Sequence, residues 1–483
     1  MRDRGLRHWV PTYLSEASLR RRGRAFRKRN LTHLIFLVCD HFEPRHGIQE
    51  AGQPAARMRA WRAGFHELQA DCLRLYGLRP LHTWFYPPHH GEEHLAALAR
   101  MAFEGLGEVE LHYHHEGDTA ATLRSSLREV LARYHRAGLL LQTGSPPGRR
   151  FGFIHGDWAL DNSAHGRFCG VNDELSLLQE LGCWADLTMP SANECQTRKI
   201  NSIYYAAGRA DRAKSHDWGD DARVGRAGTP GLMLIQGPLG ISLRGGLRPR
   251  VENASLTSAN WGDPDRIRSW IDCNVHVRGR PEWLFIKLHT HGAVERDFDA
   301  LFGERARRMH AALAEQYNDG RRFRLHYVTA RQAFNLVRAA EQGASGDPAQ
   351  FLDWDVAPPV TSLYWANRPH ETRVCTPENL LLAIPEPSEA TQVGLRYAGL
   401  QKVTGPFCAL EVSAHRAILR MPPAGGITRV GLHLSPGASL ASVTGATVLG
   451  ERDRGEWLLE GAGEVRLSLA GLARAATASG EVS

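Results

Sequence analysis

Between residues 33 and 341, short apolar or aromatic runs alternate with longer stretches whose apolar positions recur every three or four residues. The runs 33–39 (HLIFLVC), 82–86 (HTWFY), 108–114 (EVELHYH), 151–155 (FGFIH), 183–188 (CWADLT), 232–236 (LMLIQ), 283–289 (WLFIKLH) and 323–328 (FRLHYV) predict strands. They are rich in β-branched and aromatic residues and too short for helices. Between many of them the spacing predicts amphipathic helices over about 54–76, 91–105, 119–137, 172–182, 294–316 and 329–341. Strands alternating with helices of this length pair in parallel through crossovers. Seven or eight such units imply an α/β fold, a closed or nearly closed β/α-barrel, with an open doubly wound sheet as the alternative.

The pattern changes after residue 342. The stretch EQGASGDPAQ is small and polar, which predicts a linker over 343–360 after a catalytic domain of 31–342. From 361 to 483 short alternating runs (GLRYAGL, FCALEVSA, RAILRMP, TRVGLHLS, SVTGATVLG, EWLLEG, EVRLSLA) are separated by Gly/Pro turns. They predict a β-sandwich-like accessory domain. The final ATASGEVS is expected to fray.

Composition narrows the class. A chain of 483 residues with 42% hydrophobic and 23% charged residues suits a soluble protein of two or three domains. Its longest strongly apolar stretch is Leu34–Cys39, far short of the ~18–20 residues of a membrane span. The start is basic and lacks the apolar region of a secretory signal, so a cytoplasmic protein is expected. The eight cysteines are scattered without a CxxC pair, which points to reduced thiols. Residues 1–30, where ten Lys/Arg face Asp3 and Glu16, carry +8, more than the whole net charge of +7. The body is therefore close to neutral and is not a nucleic-acid platform. The basic arm either touches anionic lipid at the membrane's inner face or packs on its own domain.

Candidate chemistry gathers where strands end, as reactive groups do in β/α-barrels. The first strand runs into Asp40-His41-Phe42-Glu43, and the second into His89-His90. The third ends in His112-Tyr113-His114-His115-Glu116, the fourth in His155-Gly156-Asp157-Trp158, and a late one in His289-Thr290-His291. Residues two apart on a strand share a face, so His112 and His114 can meet one metal ion. His115 replaces His114 if the strand ends early. Imidazole with carboxylate is the ligand set that zinc and related divalent ions take in open catalytic sites. Asp40 leaves a buried strand and needs a partner, as a ligand or as the base that takes a proton from water. His41 and Glu43 are alternatives for the ligand role, and Glu43 before Pro44 is equally a turn residue. His289 and His291 share one face and suit the general acid, while Asp157 orients a histidine or serves as the base. Trp84, Tyr86, His155 and Trp158 are candidates to contact substrate, with packing an equal explanation for the aromatics. Cys39 beside Asp40 reads as a buried thiol rather than a nucleophile.

In this order these residues resemble the polysaccharide deacetylases of the NodB-homology type. VCDHFEP (38–44) resembles that family's aspartate motif with Asp40 matching, and HTWFY resembles its second strand. EVELHYHHEGDT (108–119) is similar to its metal-histidine stretch, with His112 in the first position. FIKLHTHG (285–292) is similar to the strand that ends in its catalytic-acid histidine. Departures are His41 in place of a second aspartate and Glu116 in place of the second histidine. The likeness covers roughly 30–340. It implies a distorted β/α-barrel, a divalent ion such as zinc, and removal of an N-acetyl group from a glycan or an activated, lipid- or nucleotide-linked sugar. Two other functions fit the residues: a glycoside hydrolase with Asp40 paired to Asp157 or Glu116, and a non-catalytic glycan-binding protein.

Overall fold

The computed structural model describes residues 5–143, 148–242, 249–356, 358–359, 372–375, 379–383, 392–397, 400–407, 409–413, 416–421, 428–434, 439–451 and 456–470. The end of the expected linker at 360 and the final ATASGEVS lie outside them. The chain forms two compact units, Met1–Pro358 and Pro359–Ser483.

The first unit is built on strands β1 (Thr32–Phe42), β2 (His82–Tyr86), β3 (Gly107–Tyr113), β4 (Leu141–Thr143), β5 (Gly148–His155), β6 (Cys183–Asp186), β7 (Ile203–Ala206), β8 (Asp220–Asp221), β9 (Leu232–Ile235), β10 (Gly240–Ser242), β11 (Arg250–Glu252), β12 (Trp283–Gly292) and β13 (Phe323–Tyr327). Each of the eight runs singled out by apolar pattern forms a strand. The large sheet runs β12-β1-β2-β3-β5-β6-β9-β7-β8, with β13 on β1 and β4 on β5. Pairing is parallel from β12 through β9 and antiparallel at β7 and β8.

Closure into a barrel is not observed. Between β6 and β9 the chain makes no crossover helix; it forms β7 and β8 instead. β7 pairs along the edge of β9 that closure onto β12 would need. Among the described residues no ladder joins β12 to β9 or β8. The segment 254–256 covers that edge of β12, exchanging backbone hydrogen bonds with His289.

The sheet is buried on both faces, as parallel sheets are. One face carries Leu34, Phe36, Val38, Phe42, Trp84, Tyr86, Val109, Leu111, Leu284, Ile286 and Leu288 against helices such as Gln53–Tyr76, Ala120–Arg136 and Glu304–Tyr317. The other carries Ile35, Leu37, Cys39, Phe85, Ile154 and Phe285 against the helix Ala330–Glu341. Local signals fix that helix: the Thr329 side chain accepts from the Gln332 N–H in a reciprocal capping box, a device that contributes about 1 kcal/mol. Its buried Arg331 reaches Glu108 of β3 at 3.0 Å. With this helix under the N-terminal half of the second face, only the C-terminal strand ends of that face remain for chemistry.

The basic N-terminal segment is folded. Helices Leu6–Ser15 and Ala17–Arg27 bury Trp9 against Ile200 and Leu239. Arg27 donates to Asn274 at 2.6 Å. Among the described residues no helix is long and apolar enough to cross a membrane.

The second unit is one antiparallel sheet of nine described strands, not two separate sheets. Strand Glu456–Ala470 pairs with Thr428–Leu434 through residues 456–461 and with Arg416–Arg420 through 464–468. It thus joins both halves of the sheet, and Leu410, Leu419, Val403 and Leu432 from the two halves share one apolar cluster.

Candidate metal centre and surrounding histidines

Alternation along β1 decides which side chains meet. Leu34, Phe36 and Val38 face the long helices, so Asp40 and Phe42 follow them; Ile35, Leu37 and Cys39 face the other way, so His41 does too. Neighbouring strands deliver histidines to that second face. His41 is in register with His291, and Cys39 with His289. The His41 ring lies 4.7 Å from that of His112, 4.8 Å from His291 and 6.1 Å from His289.

Beyond β1, Glu43 turns its carboxylate into the same group. Its Oε1 lies 3.5 Å from His112 Nε2 and 3.4 Å from His114 Nε2, while Oε2 lies 3.4 Å from His291 Nδ1. The two Nε2 atoms are 2.9 Å apart. On the far side of each ring, His112 Nδ1 sits 3.0 Å from the Ile154 carbonyl and His114 Nδ1 3.1 Å from Asp157 Oδ2. A carbonyl only accepts, so His112 Nδ1 carries the hydrogen and its Nε2 lone pair faces the site. Such outer partners are what orient metal-binding histidines.

These donors fit a divalent ion. Two imidazoles and a carboxylate form the His2Glu set of open catalytic zinc sites. Ligands ~2.0–2.1 Å from a tetrahedral ion stand ~3.3–3.4 Å apart, close to the Glu43–histidine separations. Two inward lone pairs at 2.9 Å require a cation or a proton between them. Without an ion a proton serves: burial pulls His114 down, but Asp157 and Glu43 outweigh it and raise its pKa to about 9. Burial would raise Glu43, yet the surrounding His112, His114 and His291 hold it well below the usual carboxylate range. Burial keeps His41 and His289 neutral, reinforced by neighbouring His112 and by Lys287 respectively. The group opens to solvent along one edge, where the side chains of His114, His291 and Asp157 are 30%, 27% and 46% exposed. Trp158 lines the same region, 6.1 Å from the rings of both His41 and His291.

The structure redistributes several of the residues expected here. Asp40 lies on the opposite face, fully buried. Its Oδ1 accepts the Gly292 N–H at 2.6 Å, and its Oδ2 faces His82 Nδ1 at 3.6 Å. It therefore cannot share an ion with His112. Trp84 and Tyr86 face the helices, fully buried in the core and away from any substrate. His41, His112, His114, His289, His291, Asp157 and Trp158 are brought together. His115 turns away from His114 and joins His155 at a second cluster with Cys169 and Glu174. Sequence reasoning missed those last two; the only signal was an acidic residue opening the helix Glu174–Glu180. Cys39 is fully buried, and burial pushes its thiol up to about 12, which removes it as a nucleophile.

No family model matches the chain, and no curated protein does. Among solved structures, a protein of Parabacteroides distasonis provisionally assigned as a glycoside hydrolase/deacetylase is similar at 11% identity over 81% of each chain. Its TM-score of 0.33 is too low to carry an argument.

Proposed function

We propose that this chain is a divalent-metal-dependent hydrolase that removes an acyl group, N-acetyl foremost, from a glycan or an activated sugar. The observation that carries this reading is the three-donor set Glu43, His112 and His114 beside His291 at an edge open to solvent. A divalent ion held there, zinc by its ligand chemistry, supplies Lewis acidity to an acyl carbonyl and eases removal of a proton from water.

The chain's own residues do the rest. The Ile154 carbonyl and Asp157 hold the two ligand imidazoles in orientation through their Nδ1 atoms. Glu43 ties the ligand group to His291 through its second oxygen. His291, partly exposed, offers its other nitrogen to exchange a proton with the leaving amine or alkoxide. His41 and His289, held neutral by burial, keep positive charge from building up behind it. Trp158 offers an aromatic face to a sugar ring.

The substrate class rests on the sequence resemblance to NodB-type deacetylases, with Glu43 rather than Asp40 holding the carboxylate position. Hydrolysis of N-acetylated oligosaccharides tests the reading, followed as amine released by metal-loaded, chelated and reloaded protein. Activity lost on chelation and restored by metal supports it. Glycan binding without turnover in the loaded protein selects the non-catalytic alternative, and chelator-insensitive cleavage of glycosidic bonds selects a glycoside hydrolase.

A further inference from the structure

The second cluster has the makings of a metal site of another kind. His115 Nε2 lies 3.0 Å from Glu174 Oε1 and 3.0 Å from His155 Nε2, and His155 Nε2 lies 3.4 Å from the same Glu174 oxygen. Cys169 Sγ is 3.7 Å from Glu174 Oε2. The four donor atoms lie within 4.8 Å of one another, and all four residues are buried in this cluster. Both rings are turned donor-inward from behind. His115 Nδ1 meets Asp118 Oδ2 at 3.0 Å, and His155 Nδ1 meets the Gly156 carbonyl at 2.5 Å. Two imidazole nitrogens facing each other at 3.0 Å again call for a cation or a proton between them.

Unlike the open group at Glu43, this one offers four donors, one of them a thiol, and no exposed edge. Four donors that include sulfur are the mark of closed, structural zinc sites. Two neutral imidazoles with a carboxylate and a thiolate carry two negative charges, which a divalent ion neutralises in a buried setting.

Its place in the chain suggests what it does. The loop between His155 and Glu174 holds Asp157, Trp158, Asp161, Asn162, His165 and Phe168 at φ between 51° and 62°, a conformation non-glycine residues rarely adopt. Cys169 and Glu174 anchor the end of that loop, and Glu174 Oε2 also accepts the Asp161 N–H at 2.7 Å. At its start the loop carries Asp157, which orients His114. His114 and His115, adjacent in sequence, thus serve the two groups in turn.

We propose that His115, His155, Cys169 and Glu174 bind a second divalent ion, zinc by its donor set, which clamps the 156–173 loop in the shape that brings Asp157 to His114. The assignment does not depend on the reaction proposed above.

The test is cobalt(II) loading of the full, metal-stripped chain, with bound metal counted by elemental analysis. Only this site contains sulfur, so only it gives a near-ultraviolet thiolate-to-cobalt charge-transfer band. Two ions per wild-type chain with that band are expected. Glu43→Gln should keep the band at one tightly held ion, and Cys169→Ser should lose it. At saturating cobalt, a wild-type chain without the band overturns the proposal whatever becomes of the variants. So does a band that survives in Cys169→Ser. The clamp is read by amide exchange of residues 156–173 in Glu43→Gln, expected to slow at least tenfold on loading; unchanged exchange there refutes it.

Discussion

Replacing Glu43 by Gln and, separately, Asp40 by Asn tells apart two carboxylates that leave β1 three residues from each other. Glu43 is buried, and its oxygens lie 3.4–3.5 Å from His112, His114 and His291. Losing an outer partner of a metal ligand typically costs 10–100-fold in affinity. Losing the carboxylate ligand itself should exceed that range, so zinc affinity at this site in Glu43→Gln should fall more than ~100-fold, or about 2.7 kcal/mol, while the second cluster keeps its ion. Asp40 contacts none of the ligands; it accepts the Gly292 N–H and faces His82. Asn keeps an acceptor but gives up the charge. The difference between charged and neutral hydrogen bonds puts the cost at about 1–1.5 kcal/mol of stability. That corresponds to a Tm lower by about 1–2 °C for a unit of this size, with metal affinity within ~3-fold of wild type. Competition titration with a chromogenic zinc chelator, beside thermal melts, measures both quantities. Loss of zinc binding in Asp40→Asn with Glu43→Gln unaffected would refute the alternation argument that separates the two residues.

Other outcomes follow from the same geometry. Asp157→Ala should weaken metal binding by about tenfold, the low end of the outer-partner range, because the carboxylate is nearly half exposed; chelator competition reads this. Trp84→Ala should cost about 3–5 kcal/mol in urea unfolding by opening the buried core, with substrate KM unchanged in whatever folded protein remains. Burial pushes His310 down to about 3, whereas an unfolded chain binds that proton near 6.5. The unfolded state therefore binds more protons between those values, and stability falls as pH drops through 6.5. At about pH 4.5 His310 accounts for ~2.7 kcal/mol of the loss, which should vanish from the urea-unfolding pH profile of His310→Phe. His291→Asn should depress kcat by ~10²–10⁴-fold with metal content unchanged, as expected for loss of a proton-transfer group; an unaltered kcat assigns that role elsewhere.

Much of the first unit was legible because its strands are short apolar runs and its helices are periodic. Closure was not. A barrel needs β9 and β12 to meet, and the run 203–206 that takes the edge of β9 carries no mark of its antiparallel direction. The choice between Asp40 and Glu43 as the carboxylate beside the histidines stayed open for a related reason. In LIFLVC both alternating sets are apolar, as they must be in a strand buried on two faces, so nothing in the run says which set faces the histidines. In β3 the pattern speaks: Val109 and Leu111 are apolar while Glu108, Glu110 and His112 are polar, and the polar set lies on the face whose end carries the site. His112 and His114 were readable as a pair on that basis, whereas the turn that sends His115 to Glu174 depends on a loop with six left-handed non-glycine residues. Neither composition nor periodicity encodes such a loop.

The proposed reaction requires Glu43, His112 and His114 together to hold the catalytic ion. Anomalous diffraction at the zinc absorption edge, from crystals of the full chain grown with zinc, tests it most directly. A peak bounded by Glu43 Oε1 and the two Nε2 atoms is expected. Fully occupied zinc elsewhere in the crystal, with that position empty, would contradict it.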